Sequence, residues 1–121
     1  MAAKQGTLLK TYPQLKAADD DYMRLSGTSM ATAVTSGVVA LMLEANRYAN
    51  NYPNHPSLTT NAVKAMLQYS AFPVYNSAGL EYNPLEEGAG GINGKGAIDL
   101  AKAADTSAPR GTHWLTATPA G

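Results

Sequence analysis

The sequence predicts a helix-rich chain with few short strands, one that leans on polypeptide beyond its own. Three observations carry this expectation. A long stretch after Ser29 is small or apolar on every side. A shorter stretch after Thr60 carries a narrow apolar stripe. Large apolar residues are scarce in 121 residues: twelve Leu, five Val, two Ile and one Phe. Burying a Leu or Val contributes only about 1.5–3 kcal/mol, while ordering the backbone costs about 1–2 kcal/mol per residue. Much of the 45% hydrophobic fraction is alanine, so a self-sufficient core is hard to assemble.

Along the chain, residues 1–21 read as an irregular polar segment. Pro13 and the run Asp19, Asp20, Asp21 work against a stable helix. The three carboxylates suggest a calcium loop, but Met30 stands where that loop needs its glutamate, so a solvated turn is expected. Tyr22 to Leu25 reads as a short strand and Ser26 to Thr28 as a turn. Ser29 then opens a helix to about Tyr48. Ala31, Ala33, Val34, Gly37, Val38, Val39, Ala40 and Leu41 leave its first turns without a polar face, which predicts a buried helix. Glu44, Asn46 and Arg47 mark where it should emerge into water, and Asn50, Asn51 and Pro53 end it. The weakly polar run Met30 to Leu43 is short of the about 20 residues that cross a bilayer, so no membrane span is expected.

A surface helix is predicted from Thr60 to Tyr69. Thr59 is its N-cap, and Leu58 packs on Val63 as a hydrophobic staple. Val63, Met66, Leu67 and Ser70 share one face. Residues 73–96 are rich in loops, with Pro73, Pro84 and a cluster of glycines. Ala97 to Ala104 reads as a short strand or turn running into a last helical turn. From Asp105 the composition is that of a flexible tail, with Trp114 its large anchor. The expected organisation is therefore 1–21 irregular, 22–104 folded and 105–121 tail.

Several function classes are excluded by composition. Nine basic and nine acidic side chains give a net charge of zero, which argues against binding nucleic acid or a membrane surface by charge. The absence of cysteine removes disulfides, zinc-cysteine sites and thiol nucleophiles. Met1 to Lys10 lacks the apolar core of a signal peptide. The glycines at 88–96 complete neither a dinucleotide fingerprint nor a P-loop. Two isolated histidines make no metal site, and no cofactor is expected. Tyr48, Tyr52 and Tyr69 read as caps on the core edge.

The sharpest feature is Gly27-Thr28-Ser29-Met30-Ala31. It places a hydroxyl where the chain turns into an apolar helix, beside unpaired N–H groups and a partial positive charge. Gly27 permits a tight turn and close approach of a substrate backbone. A serine there can attack a carbonyl while its own N–H holds the oxyanion. Taken bare, a serine before an apolar helix is more often an N-cap than a nucleophile.

The wider stretch Leu25-Ser26-Gly27-Thr28-Ser29-Met30-Ala31-Thr32, followed by Val38-Val39-Ala40-Leu41, closely resembles the active-site serine region of the subtilisin-like serine proteases (subtilases, peptidase S8). Leu58 to Leu67 is similar to the next helix of that family. Gly94-Lys95-Gly96-Ala97-Ile98-Asp99-Leu100 resembles its late Gly-x-Gly segment. The resemblance covers about residues 22–104 and implies an α/β fold: a C-terminal part of a parallel-sheet catalytic domain, with a buried central helix, a surface helix and few short strands. It implies that Ser29 is the nucleophile of peptide-bond hydrolysis through an acyl-enzyme, on peptide or ester substrates. Calcium sites and secretion are family traits that these residues do not display. Ala33 replaces a customary proline, which an early helical position tolerates.

The same resemblance exposes a gap. Subtilases supply an aspartate and a histidine before the serine, and no histidine precedes Ser29 here. His55 and His113 follow it. The order Ser29, then Asp99 or Asp105, then His113 mimics that of α/β-hydrolases, but both histidines are weak substitutes for the base. The expectation is a chain poor or inactive as a protease by itself. The alternatives are a small esterase active through self-association and a non-catalytic scaffold. An all-apolar helix also predicts a homo-oligomer, or association with the rest of a catalytic domain.

Overall fold

The computed structural model describes residues 7–18, 22–50 and 53–116. The acidic run Asp19–Asp21, Tyr52, and the first and last residues of the segments expected to be irregular or tail-like lie outside the described residues. The chain divides into two compact units, Met1–Val34 and Thr35–Gly121.

In the first unit, α1 (Thr7–Thr11) is a single turn with no buried residue. Thr11 Oγ1 donates to Thr7 O at 3.1 Å. A 3-10 turn follows at Pro13–Leu15, with proline at the start, where its missing N–H costs nothing. The strand expected at Tyr22 to Leu25 is reduced to one antiparallel bridge, Lys16 to Met23. Flanking bonds run from Arg24 N to Leu15 O (2.6 Å) and from Ala17 N to Tyr22 O (3.1 Å). Pairing stops there because the facing segment winds into the 3-10 turn.

The helix expected from Ser29 to Tyr48 forms as α2 (Thr28–Ala49), 22 residues long, about 33 Å at 1.5 Å per residue. The expectation of an enclosed helix that surfaces at Glu44, Asn46 and Arg47 is reversed. Met42 and Asn46 are its buried residues, while Val34 is 63% exposed. Burial follows the available neighbours, and these lie against the second half. Asn46 tolerates enclosure because its Nδ2 donates to Ala101 O (2.8 Å) and Ala104 O (3.1 Å), and a buried amide so satisfied is stable. As formed, α2 is also long and apolar enough to cross a bilayer, longer than the apolar run alone suggested. The core helix of a soluble protein has the same length and composition.

The second helix, α3 (Thr60–Ser70), forms as expected. Thr59 Oγ1 accepts from Ala62 N at 3.2 Å, and Val63 and Met66 are buried. A short α4 (Pro84–Glu87) is held by a capping box between Asn83 and Glu86. The stretch Ala97 to Ala104, expected as strand or turn, is instead most of α5 (Gly94–Ala103). Ile98 and Leu100 mimic strand alternation, but Ala97 and Ala101, four apart and both fully buried, define a helical face. Asn93 caps it by accepting from Gly96 N at 2.9 Å.

The core is small: Met42, Val63, Met66, Ala97, Ala101 and Ala104, with Val38, Val39, Leu43, Leu58 and Leu67 packed around it. Tyr48 and Tyr69, expected at the core edge, are 90% and 82% exposed. Tyr48 lies two residues past Asn46, about 200° round the helix from the buried side. Among the described residues no extended strand forms. Four isolated antiparallel bridges stand in place of strands, so the structure is helix-rich and displays no parallel sheet. One bridge joins Phe72 to Gly91. Beside it, a Cβ on Gly90 would lie 2.3 Å from Phe72 O, at a φ of +106°, which only glycine accommodates. Residues 105–116 turn back so that Leu115 bridges to Ala104, and Thr116 N and Oγ1 both donate to Ala103 O (2.7 and 2.9 Å).

Candidate active site

The segment Gly27–Ala31 lies in the first unit. Gly27 has φ +149°, a conformation that side-chain-bearing residues rarely adopt. Its carbonyl accepts from Met30 N and Ala31 N, both at 3.1 Å, which makes Gly27 the N-cap and Thr28 the first helical residue. Thr32 Oγ1 donates back to Thr28 O at 2.8 Å. Ser29 is therefore the second helical residue, one place further in than the sequence suggested.

That shift bears on the chemistry. A capping serine would have its hydroxyl occupied by a backbone N–H of the first turn. Here the cap position belongs to a glycine, and among the described residues no partner holds the Ser29 hydroxyl. Ser29 is exposed, and Thr28, Met30 and Ala31 beside it are exposed as well. The N–H groups of Thr28 and Ser29 lie ahead of the first intrahelical bonds. They point along the helix axis at its positive end, where a developing oxyanion would be stabilised.

Both histidines belong to the second unit. His113 is exposed. His55 is partly buried, and its Nδ1 is enclosed without a hydrogen-bond partner among the described residues. The carboxylates that could orient a base are committed elsewhere. Asp99 Oδ2 accepts from Lys95 Nζ at 2.6 Å, and this bond, aided by the charges of Lys95 and Lys102, holds its carboxyl below the usual range. Asp105 accepts from Ser107 Oγ (2.6 Å) and Ser107 N (2.9 Å). The Ser107 hydroxyl, then its N–H, then the nearby charge of His55 hold the Asp105 carboxyl below its ordinary value. Among the described residues no group of three or more His, Asp or Glu is placed to hold a metal ion.

The subtilase family profile matches residues 3–109. The chain belongs to the subtilase family. Among its relatives are C5a peptidases of Streptococcus pyogenes, including those of serotype M1 and of strain MGAS8232 of serotype M18. Each is 33% identical over 80 residues, or 64% of this chain. The chain spans about 7% of the length of these relatives. No solved structure matches the chain. Membership in a serine peptidase family rests on this match.

Proposed function

We propose that Ser29 is the nucleophile of a subtilisin-like serine endopeptidase and that this chain supplies the serine-bearing part of an α/β catalytic domain. The observation that supports this most is the start of α2. A glycine takes the cap, and Ser29 keeps an exposed hydroxyl with its own N–H directed out of the helix end. In the reaction the Ser29 oxygen adds to the peptide carbonyl carbon while a histidine takes its proton. The Ser29 N–H holds the oxyanion of the tetrahedral intermediate. Collapse expels the amine, protonated by the same histidine, and leaves an acyl ester on Ser29 that water hydrolyses.

The histidine and its orienting aspartate come from catalytic-domain residues other than His55, His113, Asp99 and Asp105. The parallel sheet of such a domain lies against the exposed first half of α2. By itself the chain is inactive as a protease. The experiment is an exchange. Residues 22–104 replace the serine-bearing segment of an active subtilase catalytic domain, and peptide hydrolysis is measured. The exchanged domain is expected to retain activity, and Ser29→Ala is expected to remove about 10⁶-fold in kcat, the loss documented for the serine of a subtilisin triad. A folded exchange whose activity is indifferent to Ser29→Ala would leave Gly27 and Ser29 as turn and scaffold only.

A further inference from the structure

The dipeptide Asn93-Gly94 carries a chemistry that the catalytic proposal does not use. In a flexible chain such a pair cyclises by itself. Glycine has no Cβ to shield its amide nitrogen or restrict its backbone, so the Gly94 nitrogen can reach the side-chain carbonyl of Asn93. That nitrogen gives up its proton and bonds to Asn93 Cγ. The Cγ–Nδ2 bond breaks, and Nδ2 leaves with a proton as ammonia. The succinimide ring then takes up water and opens to an aspartyl or an isoaspartyl residue.

In the folded chain the same two residues are the cap and the first position of α5. Asn93 Oδ1 accepts from Gly96 N at 2.9 Å, and Asn93 O accepts from Ala97 N at 3.0 Å. Asn93 has ψ 88°. Ring closure needs the Gly94 nitrogen nearly eclipsed with Asn93 Cβ about the Cα–C bond, and this ψ sets the two on nearly opposite sides. The amide is also seated against Gly96, where an added Cβ would lie 2.8 Å from Asn93 Nδ2 and 3.0 Å from Asn93 Cγ.

We infer that Asn93-Gly94 is a site of spontaneous deamidation that the α5 cap locks and that the unwinding of the first turn of α5 opens. That turn is the weak end of the helix. Gly94 and Gly96 both lie in it, and glycine is among the poorest helix formers. Beyond it, Ala97 and Ala101 are fully buried and anchor the rest of α5. Opening a helix end takes less free energy than unfolding the whole chain. Reaction in the opened turn is one-way, because the isoaspartyl product carries an extra methylene in the main chain and a shortened side chain where the Gly96 N–H was held. All these residues belong to the second compact unit, and the site does not involve Ser29, so it stands or falls independently of the catalytic proposal.

The test incubates the full chain in mildly alkaline buffer, folded in one sample and unfolded by guanidinium chloride in another. Peptide mass analysis, with chromatographic separation of aspartyl and isoaspartyl forms, reads conversion at residue 93. Conversion of the unfolded chain is expected to be faster by about tenfold or more. Gly96→Ala presses a Cβ against the Asn93 amide, and it is expected to raise the folded-state rate toward the unfolded one while the circular dichroism stays that of the parent. Gly94→Ala, whose Cβ would meet Val38 Cγ2 at an ordinary 3.6 Å, is expected to suppress conversion in both samples. Equal rates in the folded and unfolded chain overturn the inference. So does a Gly96→Ala chain of parental circular dichroism whose rate is unchanged, and so does conversion that persists undiminished in Gly94→Ala.

Discussion

The two halves of α2 differ in the opposite sense from their composition. Its first half, from Thr28 to about Val38, has no charged residue and is largely exposed. Its second half contains Glu44, Asn46 and Arg47, and it holds both of the helix's buried residues, Met42 and Asn46. Apolarity made the first half suitable for burial, but among the described residues the buried positions of α2 are Met42 and Asn46 in the second half. Met66, Ala97 and Ala101 close over Met42, and the carbonyls at the end of α5 receive the Asn46 amide. A helix's character states what it is built to touch, and the surrounding chain decides what it does touch.

The largest test of that contrast is in the exchanged catalytic domain described above, where the exposed half acquires chemistry. Next in size is truncation of the core. Met42→Ala is expected to cost about 2–5 kcal/mol in urea unfolding, the range for a buried methionine. Val34→Ala, on the exposed half, is expected to stay within about 0.5 kcal/mol. Equal losses at the two positions would mean that the first half is enclosed after all.

Two glycines sharpen the comparison along the same helix. Gly27 sits at φ +149°, whereas Gly37 has ordinary helical geometry and nothing within 4 Å of an added Cβ. Gly27→Ala is expected to destabilise by about 1–3 kcal/mol through backbone strain. Gly37→Ala is expected to stabilise by about 0.5–1 kcal/mol, because alanine loses less entropy in a helix. Thermal unfolding of both variants reads the two signs. A gain at Gly27 would show that the turn before Ser29 is not held in this conformation.

The smallest effect concerns the segment after α5. The Asp105 carboxyl is held below its ordinary value by Ser107 and His55. Its folded-state pKa is therefore depressed relative to the unfolded chain. The stability it contributes is present above the unfolded value of about 3.9 and is lost as pH falls through the folded value. Asp105→Asn is expected to flatten slightly the fall in stability below about pH 4, read by unfolding at a series of acid pH values. An unchanged acid limb would remove Asp105 from the account.

Much of the helical content was legible in the sequence, for reasons that particular residues display. The cap at Thr59 and the stripe of Val63, Met66 and Leu67 are local signals, and α3 forms where they place it. The extent of α2 follows from its unbroken run of helix-compatible residues. What failed depends on contacts distant in the chain. Asn46 reads as polar and hence exposed, yet its partners are 55 and 58 residues away. The signal that could have found it is its place four residues after Met42, on the same face. In α5, alternating Ile98 and Leu100 outweighed the pair Ala97 and Ala101, because alanine carries little weight in a periodicity argument until a close-packed neighbour demands it. The Gly27–Ala31 segment was legible as a motif. Its cap was misplaced by two residues, since a serine before an apolar helix looks like a cap and the Gly27 carbonyl bonds show otherwise.

The most direct test of Ser29 as nucleophile is labelling by a fluorophosphonate, which forms a stable phosphonyl ester with an activated serine. In a subtilase catalytic domain carrying residues 22–104 of this chain, stoichiometric labelling at Ser29, located by peptide mass analysis and lost in Ser29→Ala, is the expected result. A folded domain that takes up no label at Ser29 would contradict the account.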